Sequence, residues 1–141
     1  MSRILFLVPY PPGRAPSQRF RFEQYLDALT AAGHTYRLVP FLDEATWAIL
    51  YQPGHDARKA LGILAGFARR LQLLFSVSGY DFVFVHREAA PVGPPVLEWI
   101  IARVLSKKII YDFDDAIWLA NTSEANKIAA GLKWHHKVAD I

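Results

Sequence analysis

Cysteine is absent from the 141 residues, which excludes disulfide staples, thiol nucleophiles and thiolate metal sites and fits a reducing compartment. Long apolar runs are missing too. The longest apolar region, around Leu61 to Phe75, is broken by Arg69-Arg70, so no stretch reads as a membrane span. The run Ile4–Val8 lacks the length and the cleavage chemistry of a secretory signal. Charge of either sign is in short supply: 16 Lys and Arg stand against 13 Asp and Glu, a net charge of +3. The basic residues are scattered, with no run of nucleic-acid type, and nucleic acid is not an expected partner. Neither G-x-G-x-x-G nor G-x-x-x-x-G-K-[ST] occurs, which removes the dinucleotide fingerprint and the P-loop. What is there is apolar. Hydrophobic residues make up 52% of the chain and charged ones 21%, enough to fill one core and too much for disorder as the main state.

Four short runs read as buried strands: Ile4–Val8, Tyr36–Phe41, Phe82–Val85 and Ile109–Tyr111. None alternates cleanly between polar and apolar residues, and continuous apolar runs mark strands covered on both faces, as in parallel sheets. Helical segments separate them, as βαβ crossovers require. The expected class is α/β, a parallel sheet with helices on both faces, in a single domain spanning residues 1–141. A first helix is expected to start at the N-cap Ser17, to carry Phe22, Leu26 and Leu29 on its buried face, and to stop at Gly33. Another spans about Ala57 to Val77, with Leu61, Leu64, Leu71, Leu74 and Phe75 turned inward and Arg58, Lys59, Arg69 and Arg70 on a second face. Gly62 and Gly66 lie between these faces and would let another surface approach. A helix opening with Pro94-Pro95 is apolar almost all round, from Val96 to Leu105, and is expected to be buried on more than one side. Beyond it, Asn121-Thr122-Ser123 caps a helix with Ile128 and Leu132. That pattern is still running at Ile141, as in a domain cut before its next element.

Ligands of open α/β sheets bind beyond the carboxyl ends of the strands. The first strand runs into Pro9-Tyr10-Pro11-Pro12-Gly13-Arg14-Ala15-Pro16, followed by Ser17, Gln18, Arg19, Phe20 and Arg21. Gly13 permits close backbone approach, and Arg14, Arg19 and Arg21 could hold phosphate or carboxylate; a rigid turn with solvated arginines is the other reading. The third strand ends in His86-Arg87-Glu88. His86 is a candidate general base or hydroxyl-orienting group, or a histidine bonded within its loop. The fourth runs into Asp112, Asp114 and Asp115, then Trp118. Three carboxylates there suit a divalent metal, a polar substrate or a solvated turn. His135-His136 has no partner at metal-ligand spacing and reads as a helix face. An acidic pair after an apolar strand also evokes haloacid-dehalogenase-type phosphatases, but those open their fold with that strand. A receiver-type signalling domain needs acidic residues where this chain has Val8-Pro9 and His86.

Met1 to Val8 followed by Pro-Tyr-Pro-Pro-Gly, the helix closed by Ala31-Ala32-Gly33-His34, the strand Tyr80–His86 and the strand Lys107–Asp112 together resemble the N-terminal half of a group 1 glycosyltransferase of the retaining family 4 type. The resemblance covers essentially the whole chain. It implies a Rossmann-like domain, one of two in a GT-B fold. This half mainly binds the acceptor, and an absent C-terminal half binds the nucleotide-sugar donor. The family's Glu-x₇-Glu motif belongs to that other half, and no two acidic residues here enclose seven others. Transfer would proceed with retention, without metal and without cofactor. Pro11-Pro12-Gly13 corresponds to the family's glycine-rich loop. Where many members carry His-Asp this chain has Asp114-Asp115, so His86 and Asp114 become the catalytic candidates. Gly13, Arg14, Arg19, Arg21, Arg87, Glu88, Asp112, Asp115 and Trp118 become the substrate-binding ones. The resemblance also implies a cytoplasmic protein, and Arg58, Lys59, Arg69 and Arg70 are candidates for contact with anionic lipid, beside the plainer reading of a solvated helix face. The rival function is a non-catalytic α/β ligand-binding or interaction domain.

Overall fold

Ile4 to Val8 is apolar at every position because β1 (Arg3–Val8) is an inner strand with both faces covered. The computed structural model describes residues 1–113. Within them β1 pairs with β2 (Thr35–Pro40) on one side and β3 (Phe82–His86) on the other, and β3 pairs with β4 (Lys108–Asp112). The order is β2-β1-β3-β4 and every pairing is parallel. This is a Rossmann-like α/β sheet, as the apolar runs lead one to expect.

Alternation along the strands feeds two cores. Ile4, Phe6 and Val8 pack with Phe22 and with Leu26 and Leu29 on one face. That layer comprises α1 (Pro16–Arg21), a 3₁₀ turn at Glu23–Tyr25 and α2 (Leu26–Ala31). Leu5, Leu7, Val83 and Val85 face the other way, onto Leu73 of α4 (Asp56–Leu74) and Leu97 of α5 (Val96–Trp99). Gly33 ends α2 at φ 81°. Its N–H bonds to Thr30 O and the His34 N–H to Leu29 O, so the helix closes on its own last carbonyls.

Several local expectations need correction. The first helix begins at Pro16, with Ala15 rather than Ser17 at the N-cap and no side-chain cap. Proline brings no N–H to satisfy and its fixed φ suits the first turn. A short helix that apolar spacing does not mark, α3 (Glu44–Ile49), precedes α4; Asp43 caps it by accepting from the Thr46 N–H at 2.8 Å. The edge strand β2 is exposed over Thr35–Arg37 instead of buried on both faces. Past Trp99 the chain widens into a π-helical turn, Ile100–Val104, and α5 is not buried all round: Leu97, Glu98 and Ile101 point inward while Val96, Trp99 and Val104 stay exposed.

The largest correction is to α4, which is turned over. Its buried residues are Gly62, Gly66, Arg70 and Leu73, whereas Leu61, Leu64, Leu71 and Phe75 are 65, 64, 54 and 91% exposed. Close approach decides the orientation. A Cβ on Gly62 would stand 2.2 Å from Thr46 Oγ1, and one on Gly66 would stand 2.6 Å from Phe41 Cε1 and 2.8 Å from the Phe41 carbonyl. Only glycine allows the helix so near α3 and the residue that follows β2. Arg70 accordingly leaves the solvated face assigned to it. At 2% exposure it donates from Nε to Ala89 O (2.7 Å), from Nη1 to Val39 O (2.9 Å) and from Nη2 to Val8 O (2.9 Å). Side chains lean toward the N-terminus of their helix; α4 runs antiparallel to the strands, so Arg70 reaches their carboxyl ends.

Candidate functional site

Three chain segments meet at the carboxyl edge of the sheet. The loop after β1 is held by Gln18, which is fully buried. Its Oε1 accepts from the Tyr10 N–H at 3.0 Å and its Nε2 donates to Tyr10 O at 3.1 Å, replacing a missing strand partner. Nε2 also reaches Glu23 Oε1 at 3.1 Å, and Glu23 Oε2 accepts from the Gly13 N–H at 2.9 Å. The proline-glycine loop is therefore stapled to α1 and the turn behind it. The Tyr10 ring stands 4.7 Å from Trp47. Burial, then Tyr51, raises its phenol to about 12, so the hydroxyl keeps its proton at neutral pH.

The ends of β3 and β4 supply the second part. His86 and Asp112 are register partners, and His86 Nδ1 lies 2.9 Å from Asp112 Oδ2. Arg21 approaches from α1, with Nε 3.1 Å from Asp112 Oδ1 and Nη2 on the same oxygen. Burial works against the charge on Asp112, but the bonds from Arg21 and His86 outweigh it and hold the carboxyl below its ordinary value. An ionised carboxylate only accepts, so Nδ1 carries the proton it shares with Oδ2, and in the neutral ring the lone pair sits at Nε2. Phe22 covers the ring at 5.5 Å. His86 has no exposed surface, and Nε2 has no hydrogen-bond partner among the described residues. Asp112, with its side chain 14% exposed, is the acceptor of the set that an arriving hydroxyl can reach, and Arg21, 45% exposed, stands beside it.

The loop after β3 is the third part. Arg87 takes a left-handed φ of 64° while its N–H bonds to Asp112 O at 2.7 Å and the Glu88 N–H to His86 O at 2.8 Å. Such a conformation is unfavourable outside glycine and persists where neighbours hold it. The anchor is Ala89: its N–H donates to the buried Glu98 Oε1 at 3.0 Å and its carbonyl accepts from Arg70. Burial, then Arg69, pulls Arg70 down to about 9, still high enough for it to stay charged at pH 7.

Of the sequence-assigned residues, Arg21, His86 and Asp112 come together, and Arg87 and Glu88 follow directly. Gly13 stands in the stapled loop at φ 75°. Arg14 is drawn away to Glu44 at 2.9 Å. Arg19 is exposed on α1, so the three arginines do not form one anion cradle. Asp114, Asp115, Trp118, the cap at Asn121-Thr122-Ser123 and His135-His136 lie outside the described residues. Among the described residues no three His, Asp or Glu side chains gather as metal ligands, and no helix is long and apolar enough to cross a membrane. Sequence reasoning misses Gln18, Arg70 and Glu98. The signal was a lone polar residue in an otherwise apolar stretch for Glu98, and an arginine in line with two glycines for Arg70.

Comparison of the chain with protein-family models, curated proteins and solved structures finds no match.

Proposed function

We propose that the chain is the acceptor-side, N-terminal domain of a GT-B glycosyltransferase that transfers a sugar from a nucleotide-sugar with retention. The observation that carries the reading is the Arg21–Asp112–His86 chain beside the stapled Pro11-Pro12-Gly13 loop. An accessible carboxylate, oriented from both sides and held ionised, suits a hydroxyl-rich acceptor. Asp112 binds that hydroxyl, while Arg21 and His86 position the carboxylate. Asp114, assigned to the reacting groups by the resemblance, lies just beyond it in sequence. Nucleotide-sugar contacts fall mainly to a C-terminal domain.

The proposal includes a cytoplasmic location. Contact with an anionic membrane rests on fewer cations than the sequence offers, because Arg70 is enclosed and Arg69 is paired with Asp43 at 3.2 Å. Arg58 remains exposed for it, and Lys59 is half-buried and already donates from Nζ to the Gln52 carbonyl at 2.6 Å. A second reading, a non-catalytic sugar-binding domain, is favoured by the complete enclosure of His86.

The test uses the protein with whatever domain follows it in its gene. Purified protein is incubated with a panel of nucleotide-sugars, and hydrolysis, transfer and product anomer are followed by proton NMR. Retention of configuration, with Asp112→Ala at least a hundredfold slower and unchanged in circular dichroism, is the expected result. Sugar binding without turnover selects the second reading. Neither binding nor turnover removes both.

A further inference from the structure

Six residues on the outward side of α4 and its C-cap follow one another at alternating four- and three-residue steps: Ala57, Leu61, Leu64, Ala68, Leu71 and the cap residue Phe75. All six are exposed, and the four large ones are more than half exposed. This is the spacing of a helix–helix seam, in which a and d positions of a heptad interlock with a facing helix. A helix packed only on its own sheet needs one such stripe. Here α4 has two, since Gly62, Gly66, Arg70 and Leu73 already make the inner one.

We infer that the outer stripe of α4 docks against the α4 of a second copy of this chain, antiparallel, across a two-fold axis at Gly66. The sizes along the stripe point to this occupant. Reversing the helix about position 66 sets Ala57 against Phe75, Leu61 against Leu71 and Leu64 against Ala68. Each outermost bulky ring thus meets a methyl group, each of the inner leucines at 64 meets an alanine, and the pair between them is leucine on leucine. An isologous interface requires this self-complementarity. A parallel pairing would instead oppose Phe75 to Phe75 and Ala57 to Ala57, crowding one end and leaving a gap at the other.

Charge agrees with the same direction. Arg58 is exposed in the first turn of α4, the end where its own helix dipole disfavours a cation. In the antiparallel pair it lies beside the partner helix's carboxyl end, where a cation is favoured. Parallel helices would bring the two copies of Arg58 together. The flanking positions Ala60 and Ala65 are small, and Gln72 is neutral, so nothing on the seam repels. The four large side chains present about 500 Å² of apolar surface per copy. Two copies bury about 1,000 Å², the lower bound for a biological interface.

The chain contains no cysteine, which makes the register directly readable. In the Ala57→Cys/Phe75→Cys double variant, mild oxidation should join residue 57 of one copy to residue 75 of the other, identified by mass spectrometry of the digest. The two positions lie about 27 Å apart on one helix, too far for a bridge within a chain. Sedimentation equilibrium of the unmodified protein should show a dimer at low micromolar concentration. Leu64→Lys, at an exposed position that leaves the core alone, should raise the dissociation constant at least a hundredfold with an unchanged circular dichroism spectrum. A monomer at 100 µM, a dimer indifferent to Leu64→Lys, or cross-links joining 57 to 57 would overturn the inference. Binding of a monomer to phospholipid vesicles that Leu64→Lys abolishes would overturn it too, by giving the stripe to a lipid surface.

Discussion

Arg21 and Asp112 are 91 positions apart in sequence, yet Nε and Oδ1 stand 3.1 Å from one another. The contact ties α1 to the end of β4, and through the other carboxylate oxygen it fixes the ring of His86. The two halves of this arrangement differ in burial. The Arg21 side chain is 45% exposed, so its pair with Asp112 is worth at most about 1 kcal/mol, whereas the His86 side is enclosed.

Removing the carboxylate should therefore cost more than removing the guanidinium. Asp112→Ala strands the buried Nδ1 proton and is expected to lower stability by about 1–3 kcal/mol, against about 1 kcal/mol or less for Arg21→Met. Nitrogen-15 NMR of the His86 ring gives the independent reading: a protonated Nδ1 at neutral pH in the parent protein, lost or redistributed in Asp112→Ala. Identical ring signals in both proteins would refute the bond.

Acid should act through the same group. The folded carboxyl of Asp112 titrates below its ordinary value, so in the folded state it binds its proton less readily than in the unfolded chain. The stabilisation is thus present above the ordinary carboxylate pKa of about 4 and disappears as pH falls through the lower folded value. Asp43, lowered by its bonds from Thr46, adds a contribution of the same sign. Urea midpoints taken from pH 6 down to pH 2 should fall less steeply for Asp112→Asn than for the parent. Parallel curves would show that Asp112 carries none of the acid sensitivity.

Arg70 is the residue whose replacement should hurt the domain most. It satisfies three strand-end and loop carbonyls and stands 5.7 Å from the Phe41 ring. Arg70→Met keeps much of the stem but abandons all three acceptors, at an expected cost of about 3–5 kcal/mol. Arg70→Lys should recover only part, since one ammonium cannot span the fork. Chemical denaturation ranks the three proteins, and equal midpoints for Met and Arg would remove the guanidinium from this role.

Gly66→Ala opposes two known effects. Alanine is the better helix former by about 1 kcal/mol, but its methyl would meet the Phe41 ring and carbonyl at 2.6 and 2.8 Å. A backbone carbonyl cannot swing aside, so overpacking wins and a net loss of about 1–3 kcal/mol is expected. Ala65→Gly, one position away on the exposed side, should lose about 1 kcal/mol through helix propensity alone. A Gly66→Ala variant more stable than the parent would contradict the close packing of α4 on Phe41.

The strands were legible because burial on two faces leaves an unambiguous mark. Every residue of Ile4–Val8 is enclosed, and the run says so. The orientation of α4 was not legible for the opposite reason: three of its four buried residues are two glycines and an arginine, which hydropathy scores as unsuited to a core, and only Leu73 carries the expected mark. What turns the helix is distance, set by Phe41 and Thr46, and the carbonyls that Arg70 finds at the strand ends. His86 and Asp112 could be named as strand termini from their neighbours in sequence. Their bond follows from parallel register, and the arrival of Arg21 depends on how α1 lies across the sheet. The pattern marks α1 as a helix without fixing that placement.

The position of β1 at the interior of the sheet has a consequence for biosynthesis. Its partners β2 and β3 both come later in the chain, and the second of them ends only at His86. At about 5–20 residues per second, roughly 4–16 s pass on the ribosome between Val8 and His86. Throughout that interval one edge of an apolar strand has no native neighbour, and such an edge invites pairing with other nascent chains. The crossover that carries α4 lies between β2 and β3, so its length lengthens this window and makes protection by a chaperone most valuable before residue 86 emerges.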